Sequence, residues 1–370
     1  PEEKELLPTG SAHPNIQTPA IKSLYAEIGR HSRMQSHMPS HYQLPPGNDR
    51  LIKQLAKISR DLGVKANPND LAITHGAQQA ISLALRALTT PGDIVAVESP
   101  CSFGNLLLME SLGLKVVEIS SCTRNGMDPK ALENAIQEWP IAVILITPNF
   151  TNPTGSRIPE ERRFELLNVS KDIPIIEDDV FGALAFDRGV LPLKTLDNQD
   201  RVIYVNSLSK MLDSRLRIGW ILSGKYRSEI EKYLICDNMG SLNLMQSAVG
   251  EFLSTGKYRQ HINKMQRTYQ QNNRRFSLLL TTALNRYTKL RNSYHLSQPQ
   301  GSFLVWLTLP ESVDSFALYK ECNKHKISIL PGTVFATADQ FRHCIRLSTA
   351  NFEDTPEWHQ GIELLAKLIH

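Results

Sequence analysis

The sequence predicts an α/β fold in which helices cover both faces of a mostly parallel central sheet, with a smaller α+β unit at the C-terminus. Short runs rich in Val, Ile and Leu alternate with helical patterns from about residue 70 to residue 225. Strands that are apolar on both faces and separated by helices are typical of a parallel sheet buried on both sides. The length, 370 residues of which 41% are hydrophobic, predicts two or three domains with a large core.

The individual elements follow from the same patterns, taken in order along the chain. Six apolar runs predict strands at residues 94–97, 115–119, 142–146, 174–177, 202–206 and 217–222. Helices are predicted between several of them, at residues 78–88, 104–112, 129–139 and 159–171. Two long helices are predicted next, at residues 229–253 and 258–284. The last part predicts strands at residues 302–309, 327–330 and 344–348 and helices at residues 315–325 and 355–369.

Charge and apolar patterning argue against several classes of protein. The 41 Lys and Arg residues exceed the 37 Asp and Glu residues only slightly, and a net charge of +4 does not by itself indicate a nucleic-acid partner. The longest apolar run has six residues, 141–146, whereas a membrane span needs about 20. The N-terminus lacks the profile of a signal peptide, so the sequence predicts a cytoplasmic protein without a membrane partner.

The cysteines and the first residues add two further expectations. The five cysteines form an odd set without a CxxC pair, which predicts reduced thiols rather than a disulfide framework or a zinc site. The chain begins at Pro1 and its first methionine is Met34, which indicates a processed protein or a part of a longer one.

Polar residues that follow the predicted strands are the candidates for a functional site, because ligands of α/β sheets collect at the carboxyl ends of the strands. The patterns GxxxxGK[ST], GxGxxG, HExxH and GxSxG are absent from the sequence. Four other segments stand at or near strand ends: Thr-His-Gly-Ala-Gln (74–78), Thr-Pro-Asn-Phe-Thr-Asn-Pro-Thr-Gly (147–155), Glu-Asp-Asp (177–179), and Ser-Leu-Ser-Lys (207–210) with Arg217. Each segment taken alone is also explained as a turn, a helix cap or an exposed cation.

Together, these segments supply the groups that one cofactor, pyridoxal 5′-phosphate, requires. It needs a lysine amine, a carboxylate at its pyridine nitrogen, an aromatic face for its ring, and a phosphate cup of amides, hydroxyls and an arginine. The predicted helix start at residues 76–78 offers unpaired backbone N–H groups for an anion. The combination therefore predicts a pyridoxal-phosphate site.

From about Gly10 to its C-terminus the chain resembles the class I and II aminotransferases, which are pyridoxal-phosphate proteins of fold type I. The motifs that carry the resemblance are Asn-Pro-Thr-Gly (152–155), Ile-Glu-Asp-Asp-Val-Phe (176–181), Ser-Leu-Ser-Lys (207–210) with Arg-Ile-Gly (217–219), and Ile-Arg-Leu-Ser (345–348). The resemblance implies that Lys210 binds the cofactor covalently, that Asp178 pairs with its ring nitrogen and that Asn152 contacts its ring oxygen. The implied phosphate cup comprises Gly76, Ala77, Gln78, Ser207, Ser209 and Arg217.

The resemblance also implies a substrate site and a partner. Arg346 would bind the α-carboxylate of an amino acid or a 2-oxo acid, with Gly10 and Asn152 nearby, and Phe103 would stack on the cofactor ring. Tyr42, in a Tyr-x4-Gly-x3-Leu pattern, would reach the phosphate of a neighbouring subunit, which implies a homodimer with shared active sites. Phe181 stands where the family usually has a tyrosine, and the loss of one such hydrogen bond costs about 0.5 to 1.5 kcal/mol.

The resemblance also implies a division into domains and an activity. The implied division is an N-terminal arm at residues 1–40 that contributes to the active site and the small domain, a large cofactor-binding domain at residues 41–256, and a small C-terminal domain at residues 257–370. The implied activity is ping-pong transfer of an amino group between an amino acid and a 2-oxo acid.

Within the family, the chain is most similar to the aminotransferase-like domains of MocR-type regulators of the GntR class. The segments that carry this similarity are 76–81, 91–100 and 177–181. In such regulators a winged helix-turn-helix precedes the domain, so the implied function is an effector domain lacking its DNA-binding domain. The alternative is a free-standing amino acid aminotransferase. Because the sequence contains no winged helix, we expect no specific DNA binding by this chain alone.

A third hypothesis treats one basic helix as a nucleic-acid surface. The residues concerned are Arg259, Lys264, Arg267, Arg274 and Arg275. The Gln and Asn residues between them favour a solvated helix face instead.

Overall fold

The computed structural model describes residues 4–37, 40–240 and 242–370. The strands within these residues are β1 Leu7–Pro8, β2 Leu71–Thr74, β3 Ile94–Ser99, β4 Lys115–Cys122, β5 Gly126–Met127, β6 Ile141–Ile146, β7 Ile175–Asp178, β8 Val202–Ser207, β9 Gly219–Leu222, β10 His295–Leu296, β11 Leu304–Thr308, β12 Ile327–Ser328, β13 Leu330–Pro331 and β14 Cys344–Ser348. The α-helices are α1 Pro19–Gln35, α2 Asp49–Asp61, α3 Ala77–Leu88, α4 Phe103–Ser111, α5 Pro129–Glu138, α6 Glu160–Val169, α7 Leu193–Leu196, α8 Arg227–Asn238, α9 Asn243–Ser254, α10 Lys257–Asn285, α11 Ser315–Lys324 and α12 Pro356–Ile369.

An eight-stranded sheet forms the centre of the molecule, in the order β2-β9-β8-β7-β6-β3-β4-β5. The five strands from β8 across to β4 are parallel to their neighbours, whereas β2, β5 and β9 pair antiparallel. This is the α/β fold that the sequence predicts, with antiparallel strands added at both ends. The parallel arrangement places the carboxyl ends of β3, β6, β7 and β8 at one edge of the sheet.

The central strands are apolar on both faces because helices cover the sheet from both sides. Neighbouring residues of β3 belong to different buried clusters: Val95 and Val97 pack in one, and Ala96 packs in the other. The same alternation holds in β6, where Val143 and Leu145 face one cluster and Ile144 faces the other. Successive side chains of a strand point to opposite faces, so two clusters are the expected result of an uninterrupted apolar run.

Two predicted elements are wrong. The helix predicted at residues 229–253 is divided into α8 and α9, since Met239 adopts a left-handed backbone with φ of 54° and ends α8; Ser241, within the predicted span, lies outside the described residues. The division allows α9 to pack on α1 and α2. The strand predicted at residues 327–330 is two short strands, because β12 pairs with β1 and β13 pairs with β14.

The C-terminal part contains a four-stranded antiparallel sheet in the order β10-β11-β14-β13, packed with α10, α11 and α12. Leu7 of β1 lies in the same buried cluster, so the N-terminal segment crosses to this part of the molecule. Helix α10 begins directly after Gly256, which has a φ of 77°. The predicted domain limits at residues 40 and 256 stay a prediction, and the arm at residues 1–40 lies partly outside the described residues.

Among the described residues, no helix is both long enough and apolar enough to cross a membrane.

Candidate functional site

Side chains from the carboxyl ends of three parallel strands meet side chains of the N-terminal segment and of β14. The loop after β6 carries Asn152, β7 ends at Asp178, and the turn after β8 carries Lys210. Arg346 of β14 donates from Nη1 to Asn152 Oδ1 at 2.9 Å and so joins the C-terminal sheet to the edge of the central sheet. The sequence could place these residues at strand ends, but only the folded chain brings Arg346 to them.

Lys210 is half-buried and faces the N-terminal segment. Its Nζ donates to Ala12 O at 2.8 Å and lies 3.0 Å from His13 Nδ1. Burial, together with the positive charges of Arg346 and Arg217, lowers the pKa of Lys210 to about 8. A larger fraction of this amine is therefore neutral and nucleophilic near pH 7 than of an exposed lysine. Sequence reasoning missed His13, because a single histidine in an irregular segment has no pattern.

Asp178 is 9% exposed and accepts a hydrogen bond from the Val180 N–H at 3.2 Å. Burial, and secondarily the charge of Asp179, raises the pKa of Asp178 to about 7, while the same Val180 hydrogen bond and the charge of Lys210 oppose the shift. A carboxyl group with a pKa in this range readily shares a proton with a basic ring nitrogen.

The start of helix α3 and the turn after β8 form a cup whose groups could bind an anion. Gly76, with a φ of 88°, precedes the helix, and no side chain caps the helix N-terminus, so its first N–H groups remain available. Ser207 Oγ donates to Ser209 Oγ at 3.0 Å. The Arg217 guanidinium contacts Ser209 Oγ at 3.3 Å and His75 O at 3.3 Å. This geometry brings together the predicted cup residues Gly76, Ala77, Gln78, Ser207, Ser209 and Arg217.

Arg346 is 2% exposed, and its hydrogen-bond partners among the described residues are neutral. Besides Asn152, it donates from Nη2 to Gly10 O at 2.6 Å, and its Nε is buried without a partner. Burial lowers the pKa of Arg346 to about 10. A buried guanidinium that lacks a carboxylate partner is costly, and a carboxylate ligand would relieve this cost with charge-assisted hydrogen bonds.

The aromatic residues predicted for the site have different surroundings. Phe103 is 40% exposed and packs edge-on against the buried Phe335 at 6.1 Å between ring centroids. The centroid of the Phe335 ring also lies 5.5 Å from the Arg346 guanidinium carbon. The sequence did not predict Phe335 as a residue of the site. Phe181 is buried and packs edge-on against Phe303, so no hydroxyl group reaches the site from this position.

Tyr42 lies apart from this group, on the surface. Its side chain is 76% exposed and approaches Gly240, just after α8.

Two buried carboxyl groups near the site have no role predicted from the sequence. Glu98 of β3 accepts the Thr147 N–H at 3.1 Å, and burial, reinforced by the charge of Asp178, raises the pKa of Glu98 to about 8. Asp179 accepts hydrogen bonds from Tyr204 Oη at 2.5 Å and Asn149 Nδ2 at 2.7 Å. Asn149 Oδ1 in turn accepts from the fully buried Arg163 at 2.6 Å. We call these four residues the Asp179 network: Asp179, Asn149, Tyr204 and Arg163. The network joins α6 to the ends of β6, β7 and β8.

The donor set fits pyridoxal 5′-phosphate. A nucleophilic amine, a buried carboxyl group and an anion cup lie together, and the orphaned Nε of Arg346 indicates a missing anionic ligand. Among the described residues, no group of three or more His, Cys, Asp or Glu side chains could hold a metal ion.

Comparison with known proteins gives consistent matches over nearly the whole chain. The profile of the family described as aminotransferase class I and II matches residues 14–355. YjiR of Escherichia coli, described as an uncharacterized HTH-type transcriptional regulator, is 32% identical over 351 residues, which cover 94% of this chain and 73% of that protein. Aromatic-amino-acid aminotransferase 1 of Thermococcus litoralis is 30% identical over 315 residues, covering 81% of this chain and 72% of that protein.

A solved structure gives the same result for the fold. The crystal structure of an archaeal alanine:glyoxylate aminotransferase superposes with a TM-score of 0.88 at 26% identity, over 99% of this chain and 91% of that chain.

Proposed function

Since this chain belongs to the family of class I and II aminotransferases, we propose that it binds pyridoxal 5′-phosphate and transfers an amino group between an amino acid and a 2-oxo acid. The observation that carries the proposal is the buried Arg346 with its partnerless Nε, close to an amine whose pKa is about 8. A site that only needed to be stable would not keep an uncompensated guanidinium beside a lysine.

We assign each part of the cofactor to residues that the chain brings together. Lys210 holds it covalently, Asp178 holds the proton at the ring nitrogen, Asn152 binds the ring oxygen and Phe103 covers the ring. The phosphate lies in the cup at the start of α3, against Ser207, Ser209 and Arg217. The cofactor, when bound, supplies a carbonyl carbon for the amino group and a ring that takes up the electron pair released at Cα.

The chain's own residues bind the substrate and move one proton. Arg346 receives the α-carboxylate, which replaces neutral partners with a charge-assisted pair and orients Cα toward Lys210. Lys210 Nζ would take the proton from Cα and deliver it to the carbon that received the amino group; in the second half of the cycle it would move a proton in the opposite direction. The lowered pKa of Lys210 suits this task, because a general base works best when its pKa lies near the working pH.

We propose that this activity serves as the effector domain of a longer transcriptional regulator. The support is the 32% identity with an Escherichia coli protein described as an HTH-type transcriptional regulator, of which this chain covers 73%. The alternative is a free-standing aminotransferase, supported by the 30% identity with the Thermococcus litoralis aminotransferase. The two differ in turnover, because a sensor needs only to bind the amino acid or to react with it once.

We also propose a homodimer in which the sites are shared. Tyr42, Leu44, Met239 and Leu242 are each more than half exposed, and the approach of Tyr42 to Gly240 connects the two segments that carry them. Exposed apolar residues that lie together typically mark an interface. A second copy of the chain would cover them and would bring Tyr42 to the partner's phosphate cup.

Covalent capture of the cofactor tests the central assignment. The purified protein is incubated with pyridoxal 5′-phosphate and reduced with borohydride, and the modified residue is located by mass spectrometry. We expect modification at Lys210, a yellow protein before reduction, and no covalent adduct in Lys210→Ala, which should keep the oligomeric state of the wild type. Wild-type protein without an adduct at Lys210 would show that the assignment is wrong.

Turnover then separates the regulator from the free-standing enzyme. Single-turnover reactions with a panel of amino acids are followed by steady-state rates with 2-oxo acids. Fast steady-state turnover favours the free-standing enzyme, whereas a single half-reaction without sustained turnover favours the regulator domain.

A further inference from the structure

Helix α10 concentrates the positive charge of the chain. Its 29 residues include six Lys and Arg residues and no Asp or Glu. The whole chain has 41 basic and 37 acidic residues and a net charge of +4, so all residues outside α10 together carry a net charge of −2. A solvated helix of ordinary composition carries both signs on its exposed face, as i, i+4 pairs. The composition of α10 therefore needs an explanation beyond solubility.

One side of α10 is polar without interruption between Arg259 and Arg274. With about 100° of rotation per residue, eight residues fall within an arc of about 140°. We call these eight residues the α10 stripe: Arg259, Gln260, Asn263, Lys264, Arg267, Gln270, Gln271 and Arg274. All of them are exposed except Gln270, which is half-buried, whereas Ile262, Met265 and Tyr269 on the other side are buried in the core.

The side chains of the four cations of the stripe have no partner among the described residues. Arg259, Lys264, Arg267 and Arg274 make no side-chain hydrogen bond or ion pair there. Arg275, just outside the stripe, differs, because it pairs with Asp354 at 2.8 Å.

The acidic residue beside the stripe is already neutralised. Asp187 lines the same groove as Arg274, but Arg157 holds both of its carboxylate oxygens, at 2.7 and 2.8 Å. The field of the four cations is therefore not cancelled by this neighbour.

The surface around the stripe is concave. A groove of about 790 Å³ runs beside Gln270 and Arg274, and two smaller grooves are lined by Lys264, Arg267 or both. The cations extend over about 22 Å of helix at 1.5 Å per residue, which matches the height of about six base pairs of duplex. The amide side chains between them can donate hydrogen bonds to phosphate oxygens.

From this charge segregation we propose that the α10 stripe binds the phosphate backbone of duplex DNA without reading its sequence. A membrane is a poorer match, because helices that bind membranes expose several Trp, Phe or Leu residues beside their cations. Within α10, all of whose residues the structure describes, Leu278 is the one large apolar side chain that is exposed, and Ile262, Met265 and Phe276 are buried in the core. Binding of this kind holds a protein near DNA without choosing a site. It does not depend on the cofactor site and does not conflict with the expectation that this chain alone binds no specific DNA site.

Fluorescence anisotropy with a labelled 20-base-pair duplex of arbitrary sequence tests the proposal at 50 and 150 mM NaCl. Four phosphate contacts give a slope of about −3.6 for log K against log salt, so we expect binding to weaken about 50-fold between these concentrations. The test variant carries Arg259→Gln, Lys264→Gln, Arg267→Gln and Arg274→Gln. It should lose duplex binding at 50 mM NaCl while keeping the wild-type melting temperature, because none of these side chains has a partner in the described part of the chain.

The matched control removes four exposed lysines elsewhere, with the substitutions Lys53→Gln, Lys57→Gln, Lys65→Gln and Lys115→Gln. This control lowers the net charge equally and should change the affinity by less than threefold. Absence of wild-type binding at 50 mM NaCl, or equal losses in both quadruple variants, would overturn the proposal. Tighter binding to vesicles of phosphatidylserine and phosphatidylcholine than to the duplex would also overturn it.

Discussion

The pH dependence of cofactor capture follows directly from the surroundings of Lys210. Only the neutral amine attacks a carbonyl carbon, so the initial rate of capture should follow the neutral fraction of Lys210. With a pKa of about 8, about one tenth of the amine is neutral at pH 7. An unshifted lysine with a pKa of 10.5 would have a neutral fraction about 300-fold smaller at that pH.

The predicted profile has a defined shape. The initial rate should rise about ninefold from pH 6 to pH 7, reach half its maximum near pH 8 and change little above pH 9. The measurement mixes apo-protein with excess pyridoxal 5′-phosphate, quenches with borohydride at short times and quantifies modified Lys210 by mass spectrometry. Lys210→Ala gives the background at each pH.

Two variants test the physical cause of the shift. The charge of Arg346 lowers the pKa of Lys210, and the charge of Asp178 raises it. Arg346→Gln should therefore move the midpoint to higher pH, and Asp178→Asn should move it to lower pH. Ionisations of the free cofactor in solution are the same for all three proteins and cancel in the comparison. A wild-type midpoint near pH 10.5, or shifts of both variants in the same direction, would refute the reasoning.

Three further predictions concern the framework of the site. Gly219→Ala should lower both the melting temperature and the affinity for inorganic phosphate, because the new Cβ would lie 2.5 Å from the carbonyl carbon of Gly76, just before α3. The control Gly29→Ala in α1, whose Cβ would have no heavy atom closer than 3.8 Å, should leave both quantities nearly unchanged. Asp179→Ala should cost about 3 to 5 kcal/mol in urea unfolding, because it leaves the buried donors of Asn149 and Tyr204 without an acceptor and removes one of the two carboxyl groups, with Glu177, that act on the buried Arg163. Asp187→Ala, which removes a half-exposed ion pair, should cost less than about 1 kcal/mol, and equal costs would contradict this ranking. The pKa of Glu98 is about 8 in the folded protein and 4.5 in the unfolded chain. Between about pH 5 and pH 8 the folded state therefore keeps a proton that the unfolded chain has lost, so the free energy of unfolding falls as pH rises. Glu98→Gln should reduce that slope by up to about 1.4 kcal/mol per pH unit, and an unchanged slope in urea titrations would contradict the assigned protonation.

The central sheet could be predicted because its information is local. Residues 141–146 are apolar without interruption, and a short run of this kind among other Val- and Ile-rich runs is typical of a strand in a sheet covered on both faces. The directions of the strands at the ends of the sheet could not be predicted from such local patterns. β9 is as buried as the parallel strands of the sheet, and its antiparallel pairing with β8 and β2 depends on the path of the chain around it.

The long helix predicted at residues 229–253 was wrong for a related reason. Gly240, just past the end of α8, is the one local signal of a helix end, but the residue that takes the left-handed conformation and ends α8 is Met239. Residues such as methionine adopt that conformation only when surrounding contacts impose it. The packing of α9 on α1 and α2 is a contact of this kind, and it joins residues about 200 positions apart in sequence.

By itself, the sequence determined the α/β class, the strand ends that carry Asn152, Asp178 and Lys210, and the family of the chain, because residue type and short-range spacing encode these features. Tertiary structure alone decided which groups act on one another. It placed His13 and Ala12 against Lys210, left Arg346 Nε without a partner and buried Glu98 and Asp179 beside the site. Protonation states and unmet hydrogen bonds depend on desolvation and on charges brought together from distant parts of the chain, and neither exists before the chain has folded.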